Sequence, residues 1–148
     1  MRKLSSPSLP SPTFLMEASL FTDGSSIGNP GMGGAGVVIK FLCSKPEIRT
    51  FSKPLGVVTN NEAEYEALIY GLSLVLELGL KRISIHVDSE LLYYQLKGEY
   101  KAKAPHLIPR LKQVKELLSR FEFYKLERER SPEADQLAKR AAYLQDSV

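Results

Sequence analysis

The pattern of hydrophobic and polar positions changes several times along this chain, and each change predicts an element of secondary structure. Short β-branched, aromatic or alternating stretches indicate five strands, whereas apolar residues that recur every three or four positions indicate four helices. The predicted order is β-β-β-α-β-α-α-β-α. The predicted strands are EASLFTDGS, GAGVVIKFLC, PEIRTFSKPLG, KRISIHVDSE and FEFYKLERE, and the predicted helices are TNNEAEYEALIYGLSLVLELGL, SELLYYQLKG, PHLIPRLKQVKELLSRF and SPEADQLAKRAAYL.

The connections between these elements predict the fold class. The first three strands follow one another through short links, which is typical of an antiparallel meander. The last two strands are reached through helices, and such crossovers place helices on the faces of a sheet. We therefore expect an α/β fold with a five-stranded mixed sheet, antiparallel in its first three strands, parallel in its last two, and flanked by helices.

The predicted start and end of two helices rest on capping residues. Asn60 or Asn61 is a suitable N-cap for the long helix, and Gly79 is a suitable end. Ser131 is a suitable N-cap for the last helix, with Pro132 in its first position.

A glycine-rich stretch, GNPGMGGAG, precedes the apolar part of the second strand. Gly31, Gly33 and Gly36 have the G-x-G-x-x-G spacing of a dinucleotide-binding turn, which needs a preceding strand, a following helix and an acid about 20 residues later. Here a strand follows, and no acid lies at 53–56. We therefore interpret the glycines as a connection between two strands.

Length and composition favour one globular domain. The chain has 148 residues, of which 43% are hydrophobic and 25% charged, and no apolar run approaches a membrane span of about 20 residues. Its single cysteine, Cys43, excludes an internal disulfide and a cysteine metal site, so we expect a reduced, cytoplasmic protein. We also expect a monomer. Residues 1–15 are rich in Ser and Pro and predict a disordered tail ahead of a single domain at 16–146. A transit peptide, or an extended start upstream of Met16, is an alternative interpretation of the tail.

Four acids occupy positions where ordinary surface charges are unexpected. Asp23 and Asp88 end predicted strands, and ligands of such sheets gather beyond the carboxyl ends of the strands. Asp135 lies in the first turn of the last helix. Glu64 aligns with the apolar face of the long helix, whereas Glu62 and Glu66 align with its polar face; the apolar neighbours of Glu64 are Leu68, Gly71, Leu72 and Val75.

Each of the four acids has an ordinary explanation when it is taken alone. Asp23 suits a turn, Asp88 a helix cap, Glu64 a surface position, and Asp135 the positive end of a helix dipole. If all four converge, their mutual repulsion requires cations, and ligand sets made only of oxygen select Mg²⁺ or Mn²⁺. Two such ions about 4 Å apart suit phosphodiester hydrolysis.

The same stretches resemble, in order, the motifs of type 1 ribonuclease H, and most closely its compact branch from archaea and many bacteria. The resemblance covers roughly residues 17–145 and implies the ribonuclease H-like fold. The matching stretches are FTDGSSIGNPGMGGAGVVI, TNNEAEYEALIYGL, IHVDSELLYYQLKGEYKAK and RERSPEADQLAKRAA.

This resemblance implies the site and its chemistry. The positions of its four metal-binding acids match Asp23, Glu64, Asp88 and Asp135, which are expected to hold two Mg²⁺ or Mn²⁺ ions. The implied activity is hydrolysis of the RNA strand of RNA–DNA hybrids, with little sequence preference, to 5′-phosphate and 3′-hydroxyl ends. The positions implied to contact the hybrid are Gly24, Ser25, Asn29, Asn60 and Asn61, with Thr59 in a phosphate pocket and the glycines in a tight strand connection that a nucleic-acid backbone can approach.

This chain departs from the family pattern at several positions. Neither His86 nor His106 matches the catalytic-loop histidine of many members; His86 lies inside a strand, where a structural role is favoured over a catalytic one. Arg128 matches an arginine of the compact branch and is a candidate catalytic residue, with an ordinary surface arginine as the alternative. Ser131 replaces a commoner Asn, and Glu90 replaces a commoner Gln, which adds negative charge where the hybrid binds.

Positive charge is concentrated in the second half of the chain. Between Lys97 and Arg130 there are ten Lys or Arg residues against five Glu. Such a segment contacts phosphate in many proteins, or forms a solvated helix face. Because the chain contains no Trp, the Trp-containing basic handle of some relatives is missing, and substrate affinity is expected from Lys97, Lys101, Lys103 and the helix after them.

Two other functions remain open at the level of sequence. A catalytically silent, nucleic-acid-binding module would keep the fold, although no acid is missing here. A nuclease that also acts on double-stranded RNA or on RNA–DNA junctions is the other alternative.

Overall fold

The computed structural model describes residues 16–146, so the predicted tail at 1–15 lies outside the described residues. The elements follow the predicted order. The strands are β1 (Ala18–Gly28), β2 (Gly31–Phe41), β3 (Glu47–Val58), β4 (Arg82–Val87) and β5 (Phe123–Arg128), and the helices are α1 (Asn60–Glu77), α2 (Glu90–Leu96), α3 (Ile108–Leu118) and α4 (Pro132–Asp146).

The five strands form one mixed sheet in the order β3-β2-β1-β4-β5. The β1–β2 and β2–β3 pairs are antiparallel, whereas β4 pairs in parallel with both β1 and β5. This arrangement confirms the predicted mixed sheet. Its central pair, β1 and β4, ends in register at Thr22 and Val87, so the residues that follow these two strands emerge side by side.

Helices cover the two faces of the sheet unequally. One face packs against α1, α2 and α3 in a large core built on residues such as Leu20, Leu72 and Ile85. The other face packs against α4 in a smaller cluster, in which Phe21 and Val38 meet Ala134. Because strand side chains alternate between faces, Asp23 shares the α4 face with Phe21.

Helix α1 begins one residue earlier than predicted, and its N-cap is Thr59 rather than Asn60 or Asn61. The Thr59 hydroxyl accepts a hydrogen bond from the Glu62 amide at 3.1 Å, and the Glu62 carboxylate accepts one from the Thr59 amide at 2.8 Å. This reciprocal pair is a capping box, and the T-x-x-E spacing was its sequence signal. At the other end, Gly79 has a φ of +80°, which confirms it as the predicted end of the helix.

The glycine-rich stretch serves mainly helix packing. Only the turn at Gly28–Gly31 connects strands, because β2 already begins at Gly31. A β-carbon on Gly34 would lie 2.1 Å from the Ala138 carbonyl oxygen, and one on Gly36 would lie 2.0 Å from that of Ala134. The expectation that the whole stretch is a strand connection is therefore wrong, and its second half lets α4 lie directly on β2.

Candidate active site

Two of the four predicted acids lie where the parallel pairing of β1 with β4 ends. Asp23 and Asp88 come directly after the paired residues Thr22 and Val87, so with strands about 4.8 Å apart they are neighbours. Asp88 follows β4 as predicted, but the prediction that Asp23 ends its strand is wrong, because β1 continues to Gly28 in its pairing with β2. Asp23 is buried, with 4% of its surface exposed, and Asp88 is partly exposed.

Glu64 reaches the same place because α1 passes very close to β1. A β-carbon on Gly24 would lie 2.2 Å from the carbonyl carbon and oxygen of Ala63, so only glycine allows this approach. The Gly24 amide donates a hydrogen bond to Glu64 Oε1 at 3.1 Å. The glycine after Asp23 therefore orients Glu64 toward Asp23.

Asp135 is held at the start of α4. Its amide donates to the Ser131 carbonyl at 3.0 Å, and the Ser131 hydroxyl accepts from the Ala134 amide at 3.1 Å, which confirms Ser131 as the predicted N-cap. The Asp135 carboxyl lies near enough to Asp23 to raise the pKa of Asp23. The first turn of α4 thus places the fourth acid beside the first.

The pKa values of Asp23 and Glu64 show how unfavourable it is to place these carboxylates close together. Burial, followed by the nearby Asp135 carboxylate, raises the pKa of Asp23 to about 7. Burial and then Asp23 hold the pKa of Glu64 well above its ordinary value, although the Gly24 amide acts in the opposite direction. Asp88 raises the pKa of both residues further. The set therefore has more negative charge than its surroundings compensate.

Asp23, Glu64, Asp88 and Asp135, called the four-acid set below, lie close enough for each of the other three to affect the pKa of Asp23, but they do not form a tight triplet of ligand atoms. In the part of the chain that the structure describes, the one group of three ligand atoms mutually within 4.8 Å lies elsewhere, at His86, Glu127 and Glu129. The structure thus brings the predicted acids together around one buried carboxylate. Their role as metal ligands stays a prediction.

The neighbouring glutamates of α1 have different partners, which separates them from Glu64. The Arg110 guanidinium of α3 lies 3.2 Å from Glu62 and 2.7 Å from Glu66. Glu62 also completes the helix cap with Thr59. The predicted polar face of α1 is therefore partly covered by an ion pair with α3, and of these three glutamates Glu64 is the one that faces the acids.

The residues expected to contact the hybrid surround the four-acid set, and several have structural partners. The Asn29 side chain accepts a hydrogen bond from the Asn60 amide at 2.9 Å, which ties the β1–β2 turn to the start of α1. Thr59 caps that helix, as described above. Gly24, Ser25 and Thr59 are partly exposed, and Asn29, Asn60 and Asn61 are exposed. For all six residues, contact with nucleic acid stays a prediction.

Cationic side chains approach the acids from β5 and α4. Arg128 is exposed, and its Nε donates to the Asp88 carbonyl oxygen at 3.5 Å, so it lies beside the set; its catalytic role is untested. Lys139 Nζ lies 3.1 Å and an Arg130 guanidinium nitrogen 3.9 Å from Asp135 Oδ2. Sequence reasoning missed Lys139 and Arg130, although Lys139 stands four residues after Asp135, the spacing of a helical ion pair.

The remaining expectations about the surroundings have mixed outcomes. Lys97, Lys101 and Lys103 are exposed, as a phosphate-binding segment requires. His86 is buried inside β4, so it does not occupy the position of a catalytic-loop histidine. None of the helices among residues 16–146 is both long and apolar enough to cross a membrane.

Comparison with known proteins places the chain in a family. A family model described as reverse transcriptase-like matches residues 21–141. The bifunctional protein Rv2228c of Mycobacterium tuberculosis is 35% identical over 126 residues, which cover 83% of this chain and 35% of that protein. The chain therefore spans about a third of the length of this curated relative.

Solved structures of ribonuclease H proteins also resemble this chain. The N-terminal RNase H domain of Rv2228c has a TM-score of 0.78 at 33% identity, covering 84% of this chain and 98% of that one. RNase H1 from the archaeon Halobacterium salinarum has a TM-score of 0.79 at 32% identity, covering 87% and 98%. LC11-RNase H1, solved in complex with an RNA/DNA hybrid, has a TM-score of 0.77 at 30% identity, covering 86% and 98%.

Fold and site together define an α/β protein with acidic side chains gathered where the parallel pairing of its two central strands ends. Within that class, the chain belongs to the type 1 ribonuclease H family.

Proposed function

We propose that this protein is an endonuclease that hydrolyses the RNA strand of RNA–DNA hybrids with two divalent metal ions, with little sequence preference, and leaves 5′-phosphate and 3′-hydroxyl ends. The observation that carries the proposal is the burial of Asp23 among three other carboxylates, with its pKa raised to about 7. Support comes from the ribonuclease H relatives and from the hybrid bound to LC11-RNase H1.

The donor chemistry of the four-acid set fits the metal ions that the family uses. Every donor is a carboxylate oxygen, the type of ligand preferred by Mg²⁺ and Mn²⁺. The raised pKa values of Asp23 and Glu64 arise from burial and from like charges, and bound cations would relieve both effects. Two ions held by Asp23, Glu64, Asp88 and Asp135 would activate a water molecule and neutralise charge on the scissile phosphate.

The chain's own groups supply the positioning. Gly24 keeps Glu64 beside Asp23 through its amide, while the open end of β4 leaves Asp88 accessible to a substrate backbone. Lys139 and Arg130 lie on the solvent side of Asp135, where they add positive charge next to a polyanion. Backbone recognition of this kind, together with contacts to 2′-hydroxyls, selects RNA over DNA but not one sequence over another.

The decisive experiment is cleavage of an end-labelled hybrid in Mg²⁺ or Mn²⁺ by wild-type protein and by Asp88→Asn. Glu133→Gln is the matched control, because Glu133 is an exposed acid in the same helical turn as Asp135 but is not in the four-acid set. We expect wild-type and control proteins to cut the RNA strand, with loss of activity in Asp88→Asn. An Asp88→Asn protein as active as wild type would contradict the proposed site.

Two further measurements test the alternatives. Hybrid binding in EDTA, without cleavage in any divalent metal, would indicate a silent binding module. A panel of hybrid, double-stranded RNA, double-stranded DNA and RNA–DNA junctions would detect a wider substrate range. End-group analysis of the products tests the proposed 5′-phosphate and 3′-hydroxyl termini.

A further inference from the structure

A second group of metal-ligating side chains lies along β4 and β5, and it shares no residue with the four-acid set. His86 Nδ1 and one carboxylate oxygen each of Glu127 and Glu129 all lie within 4.8 Å of one another. His86 and Glu127 are paired residues of β4 and β5. The Glu129 amide donates to the Val87 carbonyl at 2.9 Å, which holds the residue just after β5 against β4. These three residues are called the histidine cluster.

The imidazole of this cluster is fixed in place by its surroundings. His86 is 8% exposed, and its ring stacks on Phe21 at a centroid distance of 4.3 Å. Its Nε2 is 3.1 Å from the Ser84 hydroxyl oxygen. Metal-binding histidines commonly use the second ring nitrogen in this way, because that hydrogen bond sets the tautomer and the orientation of the ring.

The other ring nitrogen points into the carboxylates. Nδ1 is buried and has no hydrogen-bond partner among the described residues, although it lies 2.8 Å from Glu129 Oε1 and 3.9 Å from Glu127 Oε1. If Nε2 carries the proton and donates to the Ser84 hydroxyl, the Nδ1 lone pair faces two carboxylates, which is unfavourable. In that tautomer the arrangement favours a cation between these three atoms.

The carboxylates of the cluster remain available as ligands. Lys125 Nζ binds Glu127 Oε2 at 2.9 Å, which leaves Glu127 Oε1 directed at His86. The Lys125 ammonium, more than His86, lowers the pKa of Glu127. Glu127 and Glu129 are 40% and 54% exposed in their side chains, so solvent can reach the site and supply a further ligand.

We propose that His86, Glu127 and Glu129 form a second metal site, which binds one Zn²⁺-type ion. One imidazole nitrogen and two carboxylate oxygens, with a position open to water, are a common zinc ligand set, whereas Mg²⁺ prefers oxygen alone. Tetrahedral zinc with bonds of about 2.0–2.1 Å separates its ligands by about 3.3 Å. The observed separations of 2.8 and 3.9 Å lie on either side of that value, so small side-chain rotations suffice.

The test is isothermal titration with Zn²⁺ in the Asp23→Asn background, which weakens metal binding at the four-acid set. We expect one Zn²⁺ per chain, and an affinity reduced by about tenfold or more in Glu129→Gln and in Glu127→Gln. The matched control is Glu122→Gln, because Glu122 is exposed and precedes β5 but is not in the cluster. A second control, His106→Gln, removes the only other histidine.

NMR of the two imidazoles provides a readout independent of affinity. We expect Zn²⁺ to shift the Nδ1 resonance of His86 while Nε2 keeps its bond to Ser84. Absence of Zn²⁺ binding, or equal affinity in the wild-type and both glutamine variants at positions 127 and 129, would overturn the proposal and assign the cluster to an ordinary ion pair. A Zn²⁺ signal lost only in His106→Gln would overturn it as well.

Discussion

Two groups of acids lie next to β4, and they differ in how their charge is compensated. In the four-acid set, Asp23 is buried among carboxylates and its pKa is raised to about 7. In the histidine cluster, Glu127 is half-exposed beside Lys125, and its pKa is lowered. The same type of side chain thus responds to burial in one place and to a neighbouring cation in the other.

The comparison shows which carboxylate has its charge compensated by a neighbouring lysine. Glu127 is paired with Lys125. Among residues 16–146, Asp23 forms no ion pair with a lysine or arginine, since Lys139 and Arg130 pair with Asp135. Burial next to like charges raises the pKa of Asp23, and strongly shifted pKa values of this kind are more common at functional sites than in exposed ion pairs.

The largest expected difference between the two groups is in catalysis. We expect Asp23→Asn to reduce hybrid cleavage by about a thousandfold or more, because it removes the central ligand of the four-acid set. Glu129→Gln should change the rate by less than about threefold, because Glu129 is an exposed residue that is not in the four-acid set. Comparison of kcat/KM in Mg²⁺ for the two variants checks this. Similar losses in both variants would contradict a catalytic role for the four-acid set alone.

The approach of α1 to Gly24 gives the next largest effect. A β-carbon at Gly24 meets the Ala63 backbone at 2.2 Å, so Gly24→Ala should lower the free energy of unfolding by about 2–3 kcal/mol and displace Glu64. Urea denaturation measures the loss. Ser25→Ala, at the next residue of β1, is the matched control and should lower the free energy of unfolding by less than Gly24→Ala does. Gly56→Ala is unsuitable as a control, because Gly56 has a φ of +74° and alanine would be strained there.

The raised pKa of Asp23 makes metal-free stability depend on pH. Because the folded pKa of about 7 lies above the unfolded value of 3.8, the folded state binds the proton more tightly, and stability is highest below about pH 4 for this group. It should fall by on the order of 1–3 kcal/mol as the pH rises from 4 to 7, with Glu64 acting in the same direction.

The matched variant for this titration is Asp23→Asn, which resembles the protonated acid. In EDTA, its stability relative to wild type should increase between pH 4 and pH 7 and then level off. Thermal melts across this range check the sign. A difference that is constant with pH would show that Asp23 is not the titrating group.

The smallest effect is expected at the exposed ion pair of the histidine cluster. Lys125 and Glu127 are 48% and 40% exposed, so Lys125→Ala should alter the free energy of unfolding by less than about 1 kcal/mol. Chemical denaturation in low and high salt measures it. A larger loss would mean that the lysine stabilises the cluster far more than an exposed pair normally does.

Much of the fold was predictable because its elements have clear local signals. The alternation in RISIHV, the apolar spacing of α1 and the Ser131–Pro132 start of α4 were each recognised correctly. The N-cap of α1 was placed one residue late because the asparagines were preferred to Thr59, whose partner Glu62 lies three residues away. The glycines of β2 were misinterpreted for another reason: the helix that packs on them comes about a hundred residues later.

The sequence by itself determined the strands, the helices and the choice of Glu64 over its neighbours, because these follow from short-range periodicity and side-chain chemistry. Only the tertiary structure decided that Glu64 bonds the Gly24 amide, that α4 lies on Gly34 and Gly36, and that His86 stands beside Glu127 and Glu129. Strand register and close backbone packing join residues far apart in the chain, and no local pattern encodes the distance between them.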